Sequence, residues 1–463
     1  MKYTDNGVEE LKIAYVGGGS RGWAWGLMSD LAAADDISGE VALYDIDLEA
    51  AQHNEIIGNM FNNAEGAKSK WSYKAVPTIG EALTGADFVV ISILPATFDE
   101  MHSDVHTPEK YGIYQAVGDT SGPGGIVRAL RCLPMIEVIA NAIKEYCPKA
   151  WVINYTNPMT VITGMLYKTF PEIKAFGCCH EVFGTQKLLA TMLEEEYGIP
   201  GAKREDIKVN VTGINHFTWL TEAKYRNIDL FPLYKEFCDK YAESGYTKGH
   251  DDNWLNSVFG CIHKVKFDLF RRYGYIAAAG DRHLAEFCEG KWYLKDPETV
   301  KKWGFDLTSV DFRREQLKER LQKSEDYRTG KLPVELEETG EDGVKQIRAL
   351  LGLEDLVTNV NIPNKGQIPN LPMGAIVETN AVFRDDSLVP VEAGELPVAL
   401  YGLISRIVAA QQMVIEAVAN RDLELAFKAF VNDPLVTIDH ETARALFDEM
   451  VENTKEYLTE YFK

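Results

Sequence analysis

The chain has 463 residues, enough for two to three domains and a full apolar core. Apolar residues make up 46% and charged residues 25%, which excludes disorder, collagen-like sequence and fibrous repeats. A formal charge of −22 excludes nucleic acid and anionic lipid as general partners, so an anionic ligand must be caught by local cations.

From the N-terminus, short apolar runs alternate with helical patterns. Strands are predicted at residues 11–16, 41–44, 71–76, 88–93, 151–154 and 173–178. Helices are predicted between them at 23–34, 48–62, 125–146 and 158–169. Such alternation implies crossover connections and an α/β fold. Residues 1–205 are expected to form a doubly wound parallel sheet of the Rossmann type, as in lactate and malate dehydrogenases.

The second half reads differently, with strands predicted at 209–213, 217–223 and 375–383 and charged helices at 311–324 and 344–351. Residues 359–372, rich in proline and glycine, are expected to be an ordered loop, and the tail from 395 to be mostly helical. An α+β domain over 206–463 is the expectation, bearing catalytic, substrate and oligomerisation surfaces. The most apolar stretch, 396–418, is interrupted by Arg406, Gln411, Gln412 and Glu416 and reads as an amphipathic or buried helix. Residues 1–12 lack the apolar run of a secretory signal. Seven cysteines, with Cys178 and Cys179 adjacent, fit free thiols in a reducing compartment. A cytoplasmic protein that binds neither membrane nor nucleic acid is expected.

Three features carry chemistry. Gly17-x-Gly19-Ser20-x-Gly22 follows the first predicted strand, and Asp45 ends the second, 23 residues after Gly22. The glycines allow a tight turn and close approach to a pyrophosphate, and the acid suits the ribose hydroxyls of NAD. Polar motifs then follow three successive strands: Pro95 with the loop Gly118–Gly125 that holds Asp119, then Asn154–Pro158 with Asn157, then Cys178–Val182. Ligands of such sheets bind at these strand ends. Cys179 and His216 are the plausible ligands of a borderline divalent ion. By residue type alone, Cys179 could equally be buried filler, His216 a core histidine and Asp119 an Asx-turn residue. Asp281 could pair with Arg282 or cap a helix.

Together these motifs resemble glycoside hydrolase family 4, the NAD- and manganese-dependent glycosidases. Further markers are Gly213–Phe217, Gly280–Phe287 and Asn361–Pro372. Cys179-His180-Glu181-Val182 resembles the group that acts on α-linked uronic acids, galacturonides or glucuronides. The resemblance implies oxidation at C3 of the sugar by NAD, metal-assisted loss of the C2 proton, elimination, water addition and re-reduction. It implies Mn2+ or another divalent ion on Cys179 and His216, and NAD on Gly17, Gly19, Ser20, Gly22, Asp45, Pro95 and Asn154. Asp281 is the implied base, with Tyr275 the alternative, since many relatives place a tyrosine there. His180 or Asp119 would protonate the leaving oxygen. Asn157, Arg282 and His283 would contact the uronide, with Arg21 and Arg128 as other cations. A homo-oligomer, dimer or tetramer, is expected. The competing readings are an α-glucosidase or α-galactosidase of the same family, a net malate- or lactate-type dehydrogenase, and an NAD-sensing module.

Overall fold

The computed structural model describes residues 1–248, 260–337 and 339–463. Its larger sheet has ten strands: β1 (Lys2–Thr4), β2 (Gly7–Val16), β3 (Ile37–Tyr44), β4 (Trp71–Ala75), β5 (Phe88–Ile91), β6 (Trp151–Asn154), β7 (Lys174–Gly177), and then three from the second half of the chain. A smaller antiparallel sheet holds β8 (Ile207–Ile214), β9 (Phe217–Tyr225), β10 (Ile228–Asp229) and β11 (Ile276–Ala277). The three strands that return to the larger sheet are β12 (Leu356–Pro363), β13 (Ile376–Arg384) and β14 (Ser387–Pro390).

The order β4-β3-β2-β5-β6-β7 is parallel throughout. It is the Rossmann order expected from the alternating pattern. These strands are covered on both faces, so they need not alternate; all four residues of β5, Phe-Val-Val-Ile, are buried. The seven cysteines are free thiols.

One expectation fails at residues 359–363, which the proline and glycine content marked as loop. They belong to β12, which pairs with β13 over eight residues and with β7 through Asn361 opposite Gly177. Proline stands only at the end of this strand, Pro363, where no ladder donor is lost. The helix Val398–Asn420 is long and apolar enough to cross a membrane by length and composition. Its apolar side, including Leu400, Ile404, Ile407 and Val414, is buried in the core, and the helix packs against Gly122–Tyr146 and Met159–Thr169.

A buried ion pair anchors the longest connection to the site. Arg131, on the helix Gly122–Tyr146, donates to Asp104 at 3.0 Å, and both side chains are wholly buried. Gln115 ties the same place to the Gly118–Gly125 loop: its Nε2 donates to the Asp104 carbonyl at 2.7 Å, and its Oε1 accepts from Gly124 N–H at 2.9 Å. Removing one member of a buried pair strands the other charge. Arg131→Met should therefore lower unfolding free energy by about 3–5 kcal/mol in a denaturant titration. Arg131→Met with Asp104→Leu should recover most of that loss.

Candidate active site

The glycine loop is built for an anion. Gly17 has φ 95°, and a Cβ there would meet the Ser92 carbonyl at 2.0 Å; at Gly19 it would meet Ala50 at 2.6 Å. Gly22 opens the helix Trp23–Ala33, whose first turn has no acidic residue and no side-chain cap. Its N–H groups are thus available to a pyrophosphate. Asn54, buried, holds the loop from beneath by donating to the carbonyls of Gly18 and Ser20 at 2.7 and 2.9 Å. Asp45 accepts from Gly19 N–H at 2.9 Å and from Asp47 N–H at 3.0 Å. Pro95 is buried beyond β5. Asn154 closes its own loop instead of facing outward, exchanging bonds of 3.1 Å with Thr156 N–H and carbonyl.

Cys179 follows β7, and the two returning strands hold its loop. Asn359 of β12 donates to the Cys179 carbonyl at 3.2 Å and to Glu378 of β13 at 2.7 Å. Asn215 donates to the other oxygen of Glu378 at 3.3 Å. Burial pushes the Cys179 thiol well up, and the charges of Glu378 and Glu181 push it further. A cation reverses that penalty. Burial also raises Glu378 to about 7.

His216 sits in the β8–β9 turn with φ 63°, an uncommon conformation for a non-glycine residue that marks functional sites. Its ring stacks on His283 at 3.9 Å between centroids. Its Nδ1 lies 3.1 Å from Thr120 Oγ1, which donates to Asp119 Oδ1 at 2.9 Å. Burial and the neighbouring His283 pull His216 down to about 3, so it is a neutral imidazole. Burial disfavours an ionised Asp119, but Arg313 and Arg128 outweigh it and hold its carboxyl below the ordinary range. With Asp119 ionised, the single Thr120 hydroxyl proton points to it, and His216 Nδ1 carries the hydrogen. Nε2 is left with a lone pair.

His283 Nδ1 pairs with Glu181 at 3.1 Å, and Glu181 also accepts from Gly280 N–H at 2.6 Å. Burial works against a charged His283, but the Glu181 carboxylate keeps its pKa raised. His180 has Nδ1 3.0 Å from Glu341 and its ring 6.2 Å from Trp23, at the start of the glycine-loop helix. Asn157 is partly exposed, with Oδ1 buried and unpartnered. Arg128 donates to the Asn157 carbonyl at 3.2 Å. Arg282 is buried and donates to Thr308 at 2.7 Å.

The two candidate bases lie on the segment that leads into the helix Asp281–Glu286, which carries His283. β11 runs antiparallel to β9 with Ala277 opposite Trp219 and Ile276 opposite Leu220. That register sets Tyr275 opposite residue 221, five residues from His216, which is about 16 Å along a strand at about 3.3 Å per residue. Asp281 is fully buried, and its Oδ1 accepts from Lys266 N–H at 3.1 Å. It caps the preceding helix, Lys264–Tyr273, from outside.

The unforeseen members are Thr120, Asn215, Asn359, Glu378, Arg313 and Asn54. Thr120 and Asn215 stood inside quoted motifs, whereas Glu378 and Arg313 carried no local signal.

Residues 12–195 match the family 4 glycosyl hydrolases, and 211–436 match their C-terminal domain. The chain belongs to glycosyl hydrolase family 4. The alpha-galacturonidase of Thermoanaerobacterium saccharolyticum is 62% identical over 458 residues, 99% of this chain and 98% of that protein. The crystal structure of LplD from Bacillus subtilis, named as a glucosidase, is 54% identical with a TM-score of 0.90, covering 96% of this chain and 100% of that one. A 6-phospho-alpha-glucosidase from gut microorganisms, solved with NAD and glucose-6-phosphate, is 25% identical with a TM-score of 0.78, covering 97% of this chain and 99% of that one.

Glu286, wholly buried, clamps the start of the Gly118–Gly125 loop. Its Oε1 accepts from Val117 and Gly118 N–H at 2.8 and 2.9 Å, while Oε2 is buried and unpartnered. Burial raises its carboxyl from 4.5 to about 7, so the folded chain binds this proton more tightly than the unfolded one. Stability should fall as pH rises from 4.5 to 7, by about 3 kcal/mol from this group. Glu286→Gln keeps the accepting oxygen and should flatten that part of the profile, read as the parent-minus-variant difference in unfolding free energy.

Proposed function

We propose that the chain hydrolyses α-linked galacturonides using bound NAD and a divalent cation. The observation that carries this reading is the built centre around Cys179 and His216, with Asp119 flanked by two arginines. Identity of 62% to a named alpha-galacturonidase supports the choice of sugar over glucuronide.

The residues fit both groups. The glycine cradle and uncapped helix would take the NAD pyrophosphate, with Asp45 turned to the ribose, and Pro95 and Asn154 shaping the floor. Cys179 Sγ and His216 Nε2 would hold the cation, and Asn215 Oδ1 beside them is buried without a partner. When bound, NAD takes up and returns a sugar hydride, and the cation neutralises charge on sugar oxygens.

The chain's own groups do the rest. The Asp119–Thr120 pair fixes the His216 tautomer, and the Glu181–His283 pair fixes the plane against which His216 stacks. An ionised Asp119 cannot deliver a proton near neutral pH. Proton movement between sugar and leaving group falls to His180, partly exposed and backed by Glu341. Asn157 offers Oδ1 to a sugar hydroxyl. The uronate carboxylate goes to Arg313 and Arg128, which each keep a buried guanidinium nitrogen unpartnered. His283 is occupied by Glu181, whereas Arg282 donates to Thr308 and keeps its Nε buried and unpartnered, a third cation for the same carboxylate. Oligomerisation as a dimer or tetramer and a cytoplasmic location belong to the same reading.

The test is turnover of p-nitrophenyl α-D-galacturonide with NAD and Mn2+ in D2O. Hydrolysis without NADH accumulation is expected, with deuterium at C2 of the product. Stoichiometric NADH would instead mark a net dehydrogenase, and absence of deuterium would end the C2-proton route. Arg313→Ala should raise KM for the galacturonide roughly 10- to 100-fold, the worth of a charge-assisted hydrogen bond.

A further inference from the structure

The helix Val310–Arg328 has the sequence of a solvated element but the placement of a bridge. Arg314 pairs with Asp99 in the first turn of the helix Phe98–His106, which follows β5. Near the other end, Arg328 feels the charge of Glu49 in the first turn of the helix Leu48–Phe61, which follows β3. β3 and β5 are the two neighbours of β2 within the parallel sheet. A helix tied to the first turns behind both crosses the carboxyl end of β2, where the glycine loop begins. Two contacts fix the crossing. Tyr327 meets Trp25, three residues past Gly22, edge-on at 5.4 Å between ring centroids, and Arg313 donates to the Val117 carbonyl at 3.4 Å.

Arg313, Leu317, Arg320, Ser324 and Tyr327 follow one another at steps of four and three residues, so they share one stripe of the helix. Both ends of the stripe face the body of the protein, and Ser324 within it is 1% exposed. An inward stripe is ordinarily apolar, or its polar groups are paired. This one is neither. Arg313 Nε and Ser324 Oγ are buried without a partner. Arg320, partly buried, makes no hydrogen bond or ion pair with any described residue. Burial and the like charge of Arg313 pull its pKa down, with no carboxylate to offset them. A cation held so is costly unless an anion joins it.

The span of the helix says which anion. Arg313 and Tyr327 are 14 residues apart, about 21 Å at 1.5 Å per residue, and Arg320 stands midway. One end of that span neighbours Asp119, where Arg313 and Arg128 already serve a sugar carboxylate. The other end neighbours the helix that the glycine loop opens. We propose that Arg320 binds the pyrophosphate of NAD, making the helix Val310–Arg328 a strap over the dinucleotide. This rests on the reading of bound NAD given above. The glycine loop offers N–H groups and a helix dipole, and Arg320 adds a planar fork that suits a phosphate. Ser324, one turn nearer Trp25, has its hydroxyl free on the same stripe. Because the strap belongs to the second half of the chain, the cofactor would tie that half to the Rossmann sheet.

The test is calorimetric titration of the full chain with NAD, ADP-ribose and adenosine, in the parent and in Arg320→Ala. The variant should weaken NAD and ADP-ribose alike, roughly 10- to 100-fold, and leave adenosine, which has no phosphate, unchanged. Arg320→Lys keeps the charge without the fork and should recover part of the loss. Since Arg320 has no partner to strand, Arg320→Ala without NAD should melt at or above the temperature of the parent. A parent that binds no NAD overturns the reading above and the strap with it. A parent that binds NAD and a variant that binds it equally well overturn the strap alone. A lower melting temperature without NAD, with adenosine weakened as much as NAD, would make Arg320 a structural residue and overturn the proposal. So would unchanged NAD affinity with a raised KM for the galacturonide, which would give Arg320 to the sugar.

Discussion

The junction of β7 with β12 is the constraint on which the catalytic centre rests. A parallel sheet that ended at β7 would present an unpaired edge, and the loop carrying Cys179 would hang from it. β12 closes that edge in the antiparallel sense, with Asn361 opposite Gly177, two residues before Cys179. The same strand supplies Asn359, and its partner β13 supplies Glu378, which Asn359 and Asn215 both address. Residues from the middle and the far end of the chain thus set the position of one thiol. Such long-range pairing carries a loop-closure cost, offset here by burial of apolar residues along β12 and β13.

Electrostatics follow from that frame. The chain carries −22 overall, yet its centre is not a pool of negative charge. Asp119 is held ionised by Arg128 and Arg313, Glu181 is matched by His283, and burial keeps Glu378 and Glu286 readily protonated near pH 7. Each carboxyl is either paired or close to neutral, as burial demands. The consequence is a place where cationic and soft ligands can be added without a large uncompensated charge. In an acidic protein the positive field that an anionic sugar requires has to be local, and the guanidinium groups beside Asp119 are such a source.

How far the sequence told this in advance depended on the range of the signal. The first six parallel strands and the glycine loop were legible because periodicity, turn residues and fingerprint are all written within a few dozen neighbours. Cys179 and His216 stood out by residue type and motif, while the surroundings that hold them did not. Proline content pointed to a loop at 359–363, where pairing with β13 and β7 overrides local preference and makes a strand. The family resemblance favours Asp281 as base with Tyr275 as its alternative, and both lie near the Gly280–Phe287 motif. The β9–β11 register that places Tyr275 and the bond from Lys266 N–H to Asp281 are long-range features that no local pattern announces. Arg313 had no motif at all; it arrives from a charged helix whose sequence reads as solvated surface.

The strained turn at His216 shows why so much structure is spent around so few atoms. A left-handed histidine costs of order 1–3 kcal/mol and persists only where its surroundings over-determine it. Here Thr120 holds Nδ1, His283 covers one ring face, and the β8–β9 pairing fixes the backbone on both sides. Relaxing the turn would break these contacts together, and His216 would lose its place relative to Cys179, which comes from the other sheet and shares no backbone with it. The ten-stranded sheet carries the Cys179 loop and the four-stranded sheet carries the His216 turn. Asn215 bridges them, bonding β13 of one sheet from the end of β8 in the other. The carboxamide therefore ties the alignment of the two sheets to the turn that carries His216, in surroundings buried enough to keep water from replacing it.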